Sequence, residues 1–169
     1  ARKKFIVTES VFSVDGDLAP LAEIASVAHR FNALLIVDEA HAIGIFGATG
    51  AGLVEQLQLQ EHVHIRVGTF SKALGSFGGF VAGKQDLIEY LINRARSFIY
   101  STALPPAILG ASLAAIKIIQ DEPERRKVLW KNVKFLREGL KNQGWALLSE
   151  ASQIIPVLIG EARETMKVS

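Results

Sequence analysis

The chain has 169 residues, of which 49% are hydrophobic and 21% charged, so it is long and apolar enough to bury the core of an ordinary domain. Its net charge of +2 gives no electrostatic case for binding nucleic acid or an anionic membrane surface. The lack of cysteine excludes disulfides and thiolate chemistry, and no apolar run approaches the ~20 residues of a membrane span. We therefore expect a cytoplasmic globular protein that binds neither nucleic acid nor membrane.

The first part of the chain predicts two strands joined by a helix. Strands are expected over 4–9 and 34–38, and the unbroken apolar run of the second is typical of a strand covered on both faces of a parallel sheet. Apolar spacing between them predicts a helix over 18–31, with Asp17 as its N-cap and Pro20 in its first turn. A strand, a helix and a strand over this length form a βαβ unit, so the two strands should be parallel.

The rest of the chain predicts three more strands and several helices. The strands are expected over 64–69, 79–82 and 154–159. The helices are expected over 50–57, 85–96, 105–120 and 123–142. Gly144 should end the last helix, whose buried face should contain Leu129, Val133, Leu136 and Leu140. The break at 121–123 is the best candidate for a domain boundary.

Reactive side chains follow two of the predicted strands. Lys72 lies among glycines in 68–75, where we expect its ammonium to be poorly hydrated and able to form a Schiff base with an aldehyde. Asp38 ends another strand and His41 follows it closely. Alone, the aspartate could cap a turn and the histidine could be structural. Together they favour a site at the carboxyl ends of the strands, where open α/β sheets bind ligands.

Residues 38–41 read Asp-Glu-Ala-His, which is also a helicase signature, so nucleotide hydrolysis is an alternative. That chemistry requires a phosphate loop in which serine or threonine follows the lysine. The nearest match, 78–85, has Gln85 in that place, comes after the acidic motif and is centred on a predicted strand. The glycines of 47–52 also lack the order found in a dinucleotide loop. The sequence therefore disfavours a nucleotide site, and measured binding of ATP would support the nucleotide-hydrolase alternative.

The same side chains meet the requirements of a cofactor with an aldehyde, a ring nitrogen and a phosphate. A lysine binds the aldehyde, a carboxylate keeps the ring nitrogen protonated, and hydroxyl groups bind the phosphate. Lys72 and Asp38 supply the first two groups, while Thr69 and Ser71 supply hydroxyls. This combination predicts a pyridoxal 5'-phosphate (PLP) site, and no metal site is predicted.

Four segments, 8–17, 38–44, 68–75 and 100–106, resemble the α-oxoamine synthases in order and spacing. These are fold-type I PLP enzymes. The resemblance implies an α/β fold with a mostly parallel sheet between helices. Residues 1–120 would form the second half of the PLP-binding large domain, and 121–169 would begin a smaller C-terminal α/β domain.

The resemblance also implies roles for individual residues. Lys72 would hold the cofactor and move the Cα proton of the substrate, Asp38 would bind the ring nitrogen, and His41 would bind the ring oxygen. Ser13 and Thr69 match cofactor-binding positions of the family.

The family forms homodimers, and Ser101 and Thr102 match residues near the cofactor phosphate of the neighbouring subunit. A helix cap before Pro105 is the alternative for these two residues. The stretch 98–106 is most similar to the 8-amino-7-oxononanoate synthases. This implies condensation of L-alanine with pimeloyl-CoA or a pimeloyl carrier protein. Relatives that make aminolevulinate, 2-amino-3-oxobutyrate or sphingoid bases share the core motifs.

Two family features are not found in the sequence. One is a glycine-containing phosphate loop with a histidine that stacks on the cofactor, and the other is an arginine for the substrate carboxylate. We therefore expect 1–169 to be part of a longer protein and to have little or no activity by itself. A non-catalytic PLP-fold subunit is the alternative to an enzyme.

Overall fold

The structure is a computed structural model that describes residues 3–168. Contacts divide the chain into two compact units, of which the first contains 19–123 and the residues up to Val11. The second contains 12–18 and the residues from Glu124 onward. The predicted boundary at 121–123 lies beside the junction after Pro123. The sequence does not indicate, however, that 12–18 groups with the C-terminal part of the chain.

Long-range hydrogen bonds within the second unit explain the position of 12–18. The carbonyl oxygen of Gly16 accepts hydrogen bonds from the hydroxyl groups of Ser149, at 3.1 Å, and Ser152, at 2.6 Å. Gly16 has φ +69°, and a Cβ atom there would lie 2.8 Å from the carbonyl oxygen of Ile154. Only glycine combines this backbone conformation with so close an approach.

The first unit contains a four-stranded sheet in the order β1-β2-β3-β4. Its strands are β1 (Phe5–Glu9), β2 (Leu34–Asp38), β3 (Ile65–Thr69) and β4 (Gly79–Gly83). The β1–β2 and β2–β3 pairs are parallel, and the β3–β4 pair is antiparallel. The prediction of an α/β fold with a mostly parallel sheet is therefore confirmed. Because Glu9 is opposite Asp38 and Asp38 is opposite Val67, β1, β2 and β3 end at one edge of the sheet.

Helices connect and follow these strands. In the first unit they are α1 (Leu21–Arg30), α2 (Leu53–Gln56), α3 (Gln85–Arg94), α4 (Arg96–Ile99) and α5 (Pro106–Asp121). The second unit contains α6 (Glu124–Asn142) and α7 (Ala162–Val168). Among residues 3–168, no helix is both long enough and apolar enough to cross a membrane.

Several predicted elements differ from the observed ones. Asp17 does not cap α1, since the N-cap position is Pro20 and no side chain caps the helix. The carbonyl oxygen of Asp17 instead accepts from the backbone N–H of Phe12 within a turn. The predicted strand over 154–159 is also wrong. That segment makes only one isolated bridge, between Leu147 and Val157, because Pro156 has no N–H for a strand ladder.

Three predicted helices also have different limits or faces. The helix expected over 50–57 covers only α2, and that expected over 85–96 divides at Ala95 into α3 and α4. In α6, Val133 is buried as predicted, whereas Leu136 is 52% exposed. The α5 and α6 boundaries agree with the prediction to within about two residues.

The two faces of the sheet differ in burial. Leu35 and Val37 of β2 are fully buried on one face. The other face carries Phe5, Val7 and Val81, and Val7 is 69% exposed. Side chains alternate between faces along a strand, so Asp38 shares the open face with Val7.

The close packing around Gly68 predicts a loss of stability in Gly68→Ala. An added Cβ would lie 2.5 Å from the Phe80 ring and would also collide with Ile43. We expect a loss of ~1–3 kcal/mol in the free energy of unfolding, measured by urea denaturation. Gly110→Ala in α5 is the control, because open space surrounds that position and alanine favours a helix. Equal effects of the two substitutions would contradict the packing argument.

Candidate functional site

Lys72 and His41 meet at the edge where the parallel strands end. Lys72 follows β3, His41 lies in the turn after β2, and Lys72 Nζ is 2.9 Å from His41 Nε2. Asp38 is the last residue of β2. The carboxylates of Asp38 and Glu9 are near enough to act electrostatically on His41. The structure thus gathers a lysine, an imidazole and two carboxylates at one edge.

The segment that carries Lys72 is a compact loop between β3 and β4. The backbone N–H of Phe70 donates to the Gly78 carbonyl at 2.9 Å, and that of Ser76 donates to the Phe70 carbonyl at 2.8 Å. Lys72 itself is exposed. The expectation that Lys72 is poorly hydrated is therefore wrong within residues 3–168. The antiparallel return of β4 places Lys72 in an open turn, and not at a buried strand end.

Side chains on α5 and β4 hold this loop from the opposite side. Ser76 Oγ lies 2.9 Å from Ser112 Oγ, and Ser112 is the buried residue of α5. The rings of Phe70 and Phe80 pack at 4.8 Å between centroids. Sequence reasoning missed this support, although Ser112 is the only hydroxyl-bearing residue in an otherwise apolar stretch of α5. The contacts limit how far Lys72 can move relative to the sheet.

The Thr69 and Ser71 hydroxyl groups lie together but already have partners. Thr69 Oγ1 donates to the Gly78 carbonyl at 3.0 Å and lies 2.8 Å from Ser71 Oγ. It also accepts from the Ser71 N–H at 3.2 Å. Each hydroxyl group has one proton, so donation to a phosphate would require either group to give up a present bond.

The environment of His41 favours the neutral imidazole. Burial lowers the pKa of His41, and the positive charge of Lys72 lowers it further. The carboxylates of Glu9 and Asp38 act in the opposite direction. A lysine ammonium only donates hydrogen bonds, so His41 Nε2 accepts in this contact and the ring proton lies on Nδ1.

Asp38 is suited to receive a protonated ring nitrogen. Its Oδ1 accepts from the Ala40 N–H at 2.8 Å, which orients the carboxylate. Within residues 3–168, no hydrogen bond reaches Oδ2 of Asp38. Lys72, whose amine can bind an aldehyde, and Asp38, whose Oδ2 accepts no hydrogen bond from residues 3–168, therefore lie at the same edge, so these residues fit PLP.

The geometry does not suit the nucleotide-hydrolase alternative. The Glu39 side chain is fully buried and hydrogen-bonded, and alternation along the strand directs it away from Asp38. The two acids therefore do not form a pair that could hold one magnesium ion. The segment most similar to a phosphate loop, 78–85, contains the extended strand β4.

Other predicted residues lie elsewhere or have local partners. Ser13 is exposed and belongs to 12–18 in the second unit, so its cofactor contact remains a prediction. Ser101 Oγ donates to the Ser97 carbonyl. The helix-cap alternative for Ser101 and Thr102 is wrong, since α5 has Pro105 at its N-cap position and no side-chain cap. An approach of these two residues to a partner's cofactor also remains a prediction.

Curated proteins match this chain over nearly all of its length. The putative 8-amino-7-oxononanoate synthase of Halalkalibacterium halodurans is 49% identical over 168 residues, which cover 99% of the chain and 42% of that protein. The 8-amino-7-oxononanoate synthase of Geobacter metallireducens is 48% identical over 169 residues, covering 98% of the chain and 43% of that protein. The chain thus spans less than half the length of these relatives.

Solved structures agree with this relationship. A serine palmitoyltransferase from S. paucimobilis, with PLP and myriocin bound, matches with a TM-score of 0.91 at 36% identity. The match covers 95% of this chain and 42% of the palmitoyltransferase chain. The 8-amino-7-oxononanoate synthase of Francisella tularensis matches with a TM-score of 0.85 at 34% identity, and the match covers 98% of this chain and 49% of the synthase chain.

These matches confirm the predicted fold-type I resemblance and, at the level of the family, PLP as cofactor. The family model for aminotransferases of class I and II matches residues 1–169. The chain belongs to the aminotransferase class I and II family.

Proposed function

We propose that the full-length protein containing this chain is a PLP-dependent acyltransferase. It condenses L-alanine with a pimeloyl thioester, releases carbon dioxide and forms 8-amino-7-oxononanoate for biotin synthesis. The observation that carries the proposal is the 2.9 Å contact between Lys72 Nζ and His41 Nε2 at the edge where Asp38 ends β2. Identities of 48% and 49% to 8-amino-7-oxononanoate synthases support this choice of substrates.

Each residue of the edge has a task in this chemistry. When bound, PLP supplies an electron sink for the electrons left at Cα. Lys72 would hold the cofactor through its amine, and the same amine would serve as the base that takes the Cα proton and the acid that returns one. Asp38 would hold the ring nitrogen, and its negative charge would keep that nitrogen protonated.

The remaining residues bind and orient. His41 would hold the cofactor's ring oxygen, and the Thr69 and Ser71 hydroxyl groups would hold its phosphate, each in place of a present hydrogen bond. The acyl donor is pimeloyl-CoA or a pimeloyl carrier protein, and the protein acts as a homodimer.

A second candidate is another α-oxoamine synthase, of which the serine palmitoyltransferase type has a specific observation in its favour. Its solved structures match with TM-scores of 0.90 and 0.91, whereas the 8-amino-7-oxononanoate synthase structure matches with 0.85. Both reactions use the same lysine and aspartate chemistry, so the choice depends on the substrates.

Covalent capture by Lys72 gives the first prediction for this function. Borohydride reduction of the PLP-loaded, full-length protein should leave a pyridoxyl group on Lys72, detected by peptide mass mapping. Lys72→Ala should remove the label, while the control Lys84→Ala, on another exposed lysine, should retain it. Labelling of a different lysine, or of none, would favour a non-catalytic PLP-fold subunit.

The ring-nitrogen contact predicts a loss of turnover in Asp38→Asn. The amide oxygen can keep the bond from Ala40, but its NH₂ group would face the ring N–H. We expect kcat/KM with L-alanine and pimeloyl-CoA to fall roughly 10²–10³-fold. Asp86→Asn, the same change on α3, should retain activity.

The second candidate is tested by the choice of substrates. Faster turnover of L-serine with palmitoyl-CoA by the unaltered protein would support it.

The Lys72–His41 contact predicts a change in the pKa of His41. Lys72→Met removes the neighbouring positive charge that helps to lower this pKa, so the pKa should rise. It should remain affected by burial, the largest cause of the lowering. The measurement is a pH titration of ¹³C-labelled histidine by NMR in the cofactor-free protein. Lys84→Met is the control, and an unchanged His41 pKa in Lys72→Met would refute the coupling.

A further inference from the structure

We infer that Glu39 is a positioning residue for Asp38 and His41, the residues that contact the cofactor in the proposed function on which this inference rests. Its carboxylate connects the end of β1 to the first turn of α2. Oε2 accepts from Ser10 Oγ at 2.8 Å and from the Leu53 N–H at 2.9 Å. Oε1 accepts from the Val54 N–H at 2.7 Å.

The backbone of Glu39 extends this network to the functional edge. Its N–H donates to the Val67 carbonyl of β3 at 2.8 Å. Its carbonyl oxygen accepts from the N–H groups of Ala42, at 2.8 Å, and Ile43, at 2.9 Å, which closes the turn containing His41. Asp38 is joined to the same network because its carbonyl oxygen accepts from the Ser10 N–H at 2.8 Å. Movement of Glu39 would therefore move both neighbours.

The chemistry of the site requires a carboxylate and not merely a residue of that size. All three partners of the Glu39 oxygens are donors, so an ionised group with acceptor oxygens alone satisfies them. Burial raises the pKa of Glu39, and these hydrogen bonds offset that rise only in part. Gly52 precedes α2 without a capping side chain, so Glu39 fulfils that role from a distance in sequence.

The space beside Gly52 shows how closely the chain surrounds this carboxylate. A Cβ atom at Gly52 would lie 2.6 Å from Glu39 Oε2, and Gly52 has φ +112°. Ser10 and Glu39 are both fully buried, so an unsatisfied donor or acceptor left here is costly. The network is thus closed, and its effect outside is transmitted through the backbone of 38–43.

Glu39→Gln isolates the requirement for acceptor oxygens. Its amide oxygen can satisfy one side, but its NH₂ group must face a backbone N–H of Leu53 or Val54 that cannot reverse its polarity. In the full-length, PLP-loaded protein we expect kcat to fall roughly 10²-fold, as a misplacement of about 1 Å would produce. We also expect the pKa of His41 in the cofactor-free protein to rise, because the turn loosens and exposes the ring.

Glu55→Gln is the matched control for this substitution. Glu55 also accepts several hydrogen bonds in the neighbouring loop, from Thr49 N–H and Oγ1 and from the Ala51 N–H, but none from the strand ends. It should leave kcat and the His41 pKa unchanged. A folded Glu39→Gln protein that behaves like Glu55→Gln overturns the inference.

Ser10→Ala keeps the test decisive if Glu39→Gln does not fold. It removes one donor and leaves the bonds to α2 intact, so we expect a smaller fall in kcat and a smaller rise in the His41 pKa. An unchanged His41 pKa in Ser10→Ala would overturn the inference.

The His41 titration needs neither PLP nor substrate. A shifted titration in a protein inactive with L-alanine and pimeloyl-CoA would therefore reject the proposed function and leave the positioning role supported.

Discussion

The alternation of side chains at the end of β2 is the constraint on which the site depends. Asp38 is the last residue of β2, and Glu39 follows it with its N–H still bonded to β3, so the two acids point to opposite faces of the sheet. One face is open and takes Asp38, the residue proposed to hold the cofactor, while the other is packed and takes Glu39, which connects β1 and α2. A shift of one residue in the register of β2 would exchange these two environments.

The reversal of direction after β3 completes the arrangement. Because β4 returns antiparallel, the loop that carries Lys72 is a hairpin connection, closed by bonds between Phe70, Ser76 and Gly78. A parallel β4 would instead have required a crossover of a dozen or more residues between β3 and β4. Here Lys72 stays within reach of the turn that follows β2, and its amine contacts His41 directly.

The sequence predicts those parts of the molecule that depend on local pattern. Apolar runs located the four strands of the sheet, and motif order pointed to Lys72 and Asp38. Features that depend on distant partners were missed or misjudged. Glu39 acquires its role only after α2 docks, and Gly16 meets Ser152 across more than a hundred residues. Exposure of Lys72 likewise depends on β4 pairing antiparallel, which its apolar run alone does not indicate.

The position of β1 at the side of the sheet, with its apolar side chains on the open face, has a practical consequence for work on this chain in isolation. In the described sheet β1 pairs on one side only, with β2, and it presents Phe5 and Val7 to solvent. An edge strand with unpaired backbone groups and apolar side chains is a template for pairing with further strands. Self-association would then compete with folding, and the apparent stability of the isolated chain would depend on its concentration.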